Sequence, residues 1–233
     1  MRLIYDHHTH TSYSHGHGTP EANVCVAIEK GLRSIAITEH APAHLAYGVR
    51  GEKLMRLRRE VDRLTSVYAN DIEVLFGIEC NLTAFGECDL PDDANMFDVR
   101  LLAYHRGILP RDRCALSCTL EAMGLKKGDP LELSRALLAA AEKYKITIFS
   151  HPSLYAGCDI ASLARGAREL GVLIELNGSR LTLSDEDILT VRAEGAEFII
   201  NSDAHVPQRV GDGGEAVSAA QRLGVDVVNL VRA

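Results

Sequence analysis

Short, nearly unbroken apolar runs recur along this chain, and most of them run straight into a histidine or an acid. Strand-like runs fall at 3–5, 34–38, 72–78, 97–104, 146–149, 172–176 and 197–200, with a last one at 225–228. Helix-like segments lie between them at 20–30, 52–68, 131–144, 160–170, 184–193 and 214–223. The 52–68 segment is typical, with Leu54, Leu57, Val61 and Leu64 at helical spacing on one face. Pro20 and Glu21 suit a first helical turn, Ser184 and Asp187 form a capping-box variant, and Gly31, Gly171 and Gly195 mark stops. Strands apolar on both faces and separated by amphipathic helices belong to a parallel sheet covered on its outside. About seven such βα units predict an α/β barrel rather than an open sheet. Residues 81–95, with Gly86, Pro91 and three Asp, are expected to leave the repeat as a small hairpin.

At 233 residues the chain fits one domain spanning 1–233, with no linker, low-complexity stretch or internal repeat. Its formal net charge of −7 argues against a broad surface tracking a nucleic-acid backbone, so no extended nucleic acid is expected as a partner. A small phosphorylated substrate remains compatible, because bound metal ions would supply local positive charge. No apolar run is long enough to cross a bilayer, and the first residues turn polar too soon for a signal peptide. Six cysteines (25, 80, 88, 114, 118 and 158) show no CxxC pair, so free thiols in a reduced, cytoplasmic protein are expected. No stripe of residues points to an oligomeric state.

The polar residues at the run ends carry the chemistry. Alternate residues of a strand face one side, so His8 and His10 aim together while His7 and Thr9 face away. The C-terminal ends of parallel barrel strands converge on one face. His10, His40, Glu79, His105, His151 and Asp203 all lie at or just past such ends. Imidazole and carboxylate together suit divalent zinc, manganese or iron, and the absence of Cys from the set disfavours a structural zinc site. Neighbouring divalent ions would activate water and hold phosphate oxygens for in-line displacement.

These fragments also carry a family resemblance. Asp6-His7-His8-Thr9-His10-Thr11, Tyr13-Ser14-His15-Gly16 and Ile37-Thr38-Glu39-His40 resemble the first motifs of the PHP (polymerase and histidinol phosphatase) superfamily. Gly77-Ile78-Glu79, Tyr104-His105, Ser150-His151-Pro152 and Ser202-Asp203-Ala204-His205 follow in the family's order. The resemblance runs from Asp6 to about Gly211 and implies a distorted (βα)7 TIM-like barrel with two or three divalent metal ions. It implies that His8, His10, Glu79 and Asp203 bind one ion and that Glu79 bridges to a second held by His105 and His151. His15, His40 and His205 would hold a third. His15 stands where many relatives have Asp, and Glu39 where Asp is commoner. His17 is an alternative to His15, Asp6 is expected to orient a ligand histidine, and His7 and His44 are expected to be ordinary polar residues.

The expected activity is a metal-dependent phosphoesterase acting on phosphate monoesters of a small metabolite (histidinol phosphate, a nucleotide or a sugar phosphate) by metal-activated water. Glu79, His105, Asp203 and His205 are the expected catalytic residues. Arg180, after the 172–176 run, and Arg209, past the last motif, are candidate donors to phosphate oxygens, as is Arg106 beside His105. Two rivals share the ligand set: an amidohydrolase-like metal hydrolase, and a non-catalytic metal-binding PHP domain. No lysine stands at a strand end where the amidohydrolase reading would want a carboxylated bridge.

Overall fold

The computed structural model describes residues 1–231. The expected domain span of 1–233 includes Arg232 and Ala233, which lie outside the described residues. In chain order the elements are β1 (Arg2–Leu3), β2 (Tyr5–Asp6), α1 (Pro20–Glu29), β3 (Ser34–His40), α2 (Glu52–Val67), β4 (Glu73–Ala84) and β5 (Glu87–Cys88). There follow β6 (Val99–Ala103), α3 (Arg113–Ala122), α4 (Pro130–Tyr144), β7 (Ile148–Phe149) and α5 (Ile160–Leu170). The chain continues through β8 (Leu173–Asn177), α6 (Asp185–Glu194), β9 (Phe198–Asn201), α7 (Gly214–Leu223) and β10 (Leu230–Val231).

Among the described residues, five of the seven helix starts are fixed by side-chain caps, while α2 and α7 begin after glycines. Thr19, Asp112, Asp129 and Asp159 each accept from a backbone N–H of the first turn, and Ser184 and Asp187 form the reciprocal box expected of them. Leu54, Leu57, Val61 and Leu64 are the buried face of α2, as their spacing requires.

Seven parallel strands run side by side in the order β2-β3-β4-β6-β7-β8-β9. The two ends of this sheet come together: Thr9 bridges Ala204 in parallel, and His10 N–H donates to the Ala204 carbonyl at 2.8 Å. Near the other end the seam is stitched by one side chain. Asn229 is fully buried, and its Nδ2 donates to the carbonyls of Tyr5 (2.8 Å) and Ile200 (2.6 Å) while its Oδ1 accepts from Ile200 N–H (3.0 Å). The result is the distorted, nearly closed α/β barrel expected from the sequence.

Inside, side-chain parity sorts the barrel into layers. Ala36, Val99, Leu101, Ile148 and Ile199 form an apolar plug, with Tyr5, Leu75 and Leu173 against it. Two residues further along the same strands, most inward positions turn polar, at Thr38, Ser150, Glu175 and Asn201, while β4 and β6 place the small Gly77 and Ala103 there. The next positions on β3, β4 and past β9 are His40, Glu79 and Asp203. The opposite faces of the strands pack on the helices in the main core. Gly77 permits this closeness, since a Cβ there would stand 2.4 Å from Thr38 Cγ2.

Three stretches differ from expectation. The first run divides at Ile4, because Ile4 N–H turns to the Asn229 carbonyl, so β1 pairs antiparallel with β10 while β2 enters the barrel. The run at 225–228 is not a strand: Val227 makes only an isolated bridge to Phe198, and the ladder forms later, at β10. Residues 81–95 do form a hairpin, but by prolonging β4 to Ala84 and returning through β5.

Asn229→Ala would leave buried backbone groups of both seam strands unpaired, at a cost of about 1–3 kcal/mol. Gly77→Ala would force Thr38 and its neighbours apart, at about 1–3 kcal/mol. Urea unfolding midpoints should fall for both variants; wild-type midpoints would contradict this account of the seam and the polar layer.

Candidate metal centre

The strand ends deliver their polar residues to one point because the backbone bends there. His151 and Asp203 follow β7 and β9 with φ of 28° and 49°, left-handed values that non-glycine residues seldom adopt. The same turn-out ends the ladder and swings each side chain over the barrel mouth. His15 comes from the loop after β2. Glu39 holds that loop by accepting from Thr11 N–H (2.8 Å) and from the hydroxyls of Thr11 and Ser14. His17 N–H donates to the His205 carbonyl at 2.8 Å, pulling the loop across to the segment after β9.

Around Glu79 the donor atoms crowd together. His8 Nε2 lies 3.2 Å from His10 Nε2, 3.3 Å from Glu79 Oε1 and 3.6 Å from Asp203 Oδ1. His10 Nε2 lies 3.5 Å from Glu79 Oε2 and 3.3 Å from Asp203 Oδ1. The same oxygen, Glu79 Oε1, is also 3.2 Å from His105 Nε2 and 2.8 Å from His151 Nε2, which are 3.2 Å apart. His15 Nε2 and His205 Nε2 form a third pair at 2.7 Å. His40 stands beside Glu79 rather than in that pair, its Nδ1 2.9 Å from Glu79 Oε2 with neither atom in a hydrogen bond. Ligand atoms about 2.0–2.1 Å from a tetrahedral ion stand about 3.3 Å from one another, the spacing seen here. His8, His10 and Asp203, His8, Glu79 and His151, and His10, His40 and Glu79 are each close enough to share an ion.

The charge balance of the site asks for cations. Glu79 is fully buried; burial pushes its carboxyl up, but His105, His8 and His40 around it outweigh that and hold it well below the ordinary range. Asp203 is likewise depressed: burial opposes ionisation, and His8 and His10 override it. Burial alone would lower His8 and His10, yet the surrounding carboxylates raise His8 well above 6.5, and His10 to about 9. Burial and neighbouring imidazoles lower His15 to about 3; burial leads the depression of His40 to about 4. The neutral rings offer lone pairs, and the carboxylates demand positive charge that divalent ions supply more compactly than protons on His8 and His10. Glu79 Oε2 and His40 Nδ1 are buried without hydrogen-bond partners, as metal-facing atoms would be.

A second ring of residues holds the donors in place. Glu175, fully buried, accepts from or pairs with His8 Nδ1 (2.8 Å), His151 N–H (2.8 Å), Asn177 Nδ2 (2.9 Å) and Asn201 Nδ2 (2.9 Å). It fixes His8 with Nε2 turned to the centre. Ser150 Oγ donates to Glu79 Oε1 at 3.0 Å. The sequence reading missed Glu175, although it lies two residues beyond an inward apolar position and is the only acid in its strand-like run. Asp6 does not reach a ligand ring. Its carboxylate accepts from the backbone of Ser202 (3.1 Å) and Gly211 (2.8 Å), anchoring the segment that carries Asp203 and His205.

A cavity of about 110 Å³ opens over the centre, lined by His15, His40, Glu79, His105, His151, Asp203 and His205 and walled outside them by His44, Tyr47, Arg106, Leu154 and Tyr155. His44 is more than an ordinary polar residue, being stacked on His40 (5.0 Å) and on Tyr47 (4.8 Å). His7, as expected, stays outside the centre, with Nε2 2.8 Å from Ser34 Oγ. His17 is exposed. The candidate donors Arg180 and Arg209 do not line the cavity, and Arg209 is held to the Gly178 carbonyl (3.1 Å) and to Asp212 (3.5 Å).

The PHP domain family model matches residues 6–151, which carry seven of the nine clustered donors. The chain belongs to the PHP domain family. A probable phosphatase of Shewanella sp. (strain ANA-3) is 30% identical over 240 residues, covering 96% of this chain and 84% of that protein. The DNA polymerase/3'-5' exonuclease PolX of Bacillus subtilis (strain 168) is 26% identical over 98% of this chain, which spans 39% of its length. Among solved structures, the histidinol phosphate phosphatase of Lactococcus lactis subsp. lactis Il1403, complexed with zinc, L-histidinol and phosphate, superposes with a TM-score of 0.66. That likeness covers 97% of this chain and 95% of the other at 17% identity, so what the two share is the barrel.

Glu175→Ala should weaken metal affinity about 10–100-fold while leaving every centre-facing donor in place. Competition with a chromogenic chelator measures this; wild-type affinity would show that Glu175 does not orient His8.

Proposed function

We propose that this chain, a metal-dependent phosphatase, hydrolyses phosphate monoesters of a small metabolite as a single domain spanning 1–233. The convergence of donors on both oxygens of the buried Glu79 carboxylate, at the floor of an open cavity, carries this reading. His8, His10, Glu79 and Asp203 would hold one ion, and Glu79, His105 and His151 a second. His15 and His205 would hold a third, with His40 between that pair and Glu79. Zinc, manganese and iron all suit such nitrogen and oxygen donors. Such ions, when bound, lower the pKa of water and neutralise charge on phosphate oxygens.

The protein's own part is orientation. Glu175 and Ser150 fix His8 and Glu79, and Asn177 Nδ2 takes one oxygen of Asp203 at 3.2 Å, leaving Oδ1 facing the centre. Asp203 and His205 border the cavity, where a proton must leave the attacking water and reach the departing oxygen. Support for a small substrate comes from the cavity's volume of about 110 Å³ and the net charge of −7, which suits a long nucleic acid poorly. Histidinol phosphate, nucleotides and sugar phosphates are the candidates. Among the described residues no lysine lines the cavity, which gives the carboxylated-lysine chemistry of an amidohydrolase no foothold.

After chelation and restoration of manganese, zinc or iron, phosphate should be released from one or more of histidinol phosphate, nucleotides, sugar phosphates and p-nitrophenyl phosphate. Glu79→Ala and His105→Ala should each lower kcat on the order of a hundredfold or more. Full turnover by either variant, or cleavage of oligonucleotides alone, would contradict the proposal.

A further inference from the structure

The centre supplies imidazoles and carboxylates but no fixed cation of its own toward the mouth, and a phosphoryl group presents oxygens on that side too. One arginine lines the cavity, at its exposed rim. Arg106 follows His105 directly and is part of the cavity wall, with its guanidinium carbon 5.1 Å from the centroid of the Tyr155 ring. Among the described residues no carboxylate forms a salt bridge with Arg106, in contrast to Arg209 with its Asp212 partner. The backbone around it is braced. Leu45 N–H donates to the Gly107 carbonyl at 3.0 Å, and His44 bridges Ile108. Gly107 has φ of +83°, and a Cβ there would stand 3.3 Å from His44 Cε1. The Arg106 segment is therefore locked to the loop carrying His44 and Tyr47, with Tyr155 rising from the loop after β7 as its platform.

We propose that Arg106, seated on Tyr155, forms the phosphate-oxygen subsite of this cavity, in place of Arg180 and Arg209. The inference rests on the phosphatase reading given above. An arginine fork pairs with two oxygens of one phosphoryl group, and a ring face beneath it restrains the side chain without neutralising it, as a carboxylate would. Arg106 would touch substrate; Tyr155 is a positioning residue that acts through it.

The test uses the metal-loaded, full-length protein with inorganic phosphate as probe, following binding by calorimetry and inhibition of turnover in parallel. Arg106→Ala should weaken phosphate binding about 10–100-fold and raise KM, with metal content unchanged. Arg106→Lys should recover part of the loss. Tyr155→Phe, which keeps the ring face, should match wild type, whereas Tyr155→Leu should raise KM more than it lowers kcat. Arg180→Ala should bind phosphate as wild type does. Wild-type phosphate affinity in Arg106→Ala, loss of metal from that variant, or no phosphate binding by the wild type would each overturn the subsite. Arg106-dependent phosphate binding without turnover of any phosphate ester would support the subsite and remove the phosphatase reading instead.

Discussion

A carboxylate that burial should neutralise, and that its surroundings keep ionised, governs this barrel. Glu79 has no exposed surface, sits among imidazoles from four different strand ends or loops, and has one oxygen with no hydrogen-bond partner. Removing such a charge from water is costly unless opposite charge meets it at close range. Everything near it acts to meet that demand. Glu175 and Asp203 add further anions, so protons on His8 and His10 are the protein's internal answer and divalent ions the more compact one.

The fold serves this arrangement through parity. The plug of Ala36, Val99, Leu101, Ile148 and Ile199 closes the barrel below, and the next inward positions hold the hydrogen-bonding layer of Thr38, Ser150, Glu175 and Asn201. Only above that layer do the donors appear. Shifting a strand by one residue would turn its donor toward the helix-packed face. The left-handed backbone at His151 and Asp203 fits the same picture, as local strain held by a surrounding structure that over-determines it.

Much of this was legible in the residue order. Apolar runs bounded by helices declared a parallel barrel, and the polar residues closing those runs declared its active face, because strand ends of one polarity must share a side. What escaped were interactions whose partners are distant in sequence. Glu175 acts on His8 from 167 residues away, and Asn229 closes a seam between strands near opposite ends of the chain. Neither has a local signature beyond a polar residue in an apolar setting. Arg180 and Arg209 satisfied the loop-position argument, but a position on a loop does not set where a long side chain points. Arg209 is taken up by Gly178 and Asp212, while Arg106, adjacent to a ligand histidine, lines the cavity. Glu39, standing where Asp is commoner, has the reach to hold the loop that presents His15.

The most direct test of the central claim is anomalous X-ray scattering, recorded at the zinc, manganese and iron absorption edges from crystals of the metal-loaded protein. The account predicts two or three peaks inside the donor cluster, with Glu79 between two of them. Crystals of protein carrying stoichiometric metal but showing no peak beside Glu79, with density instead on surface histidines, would contradict it.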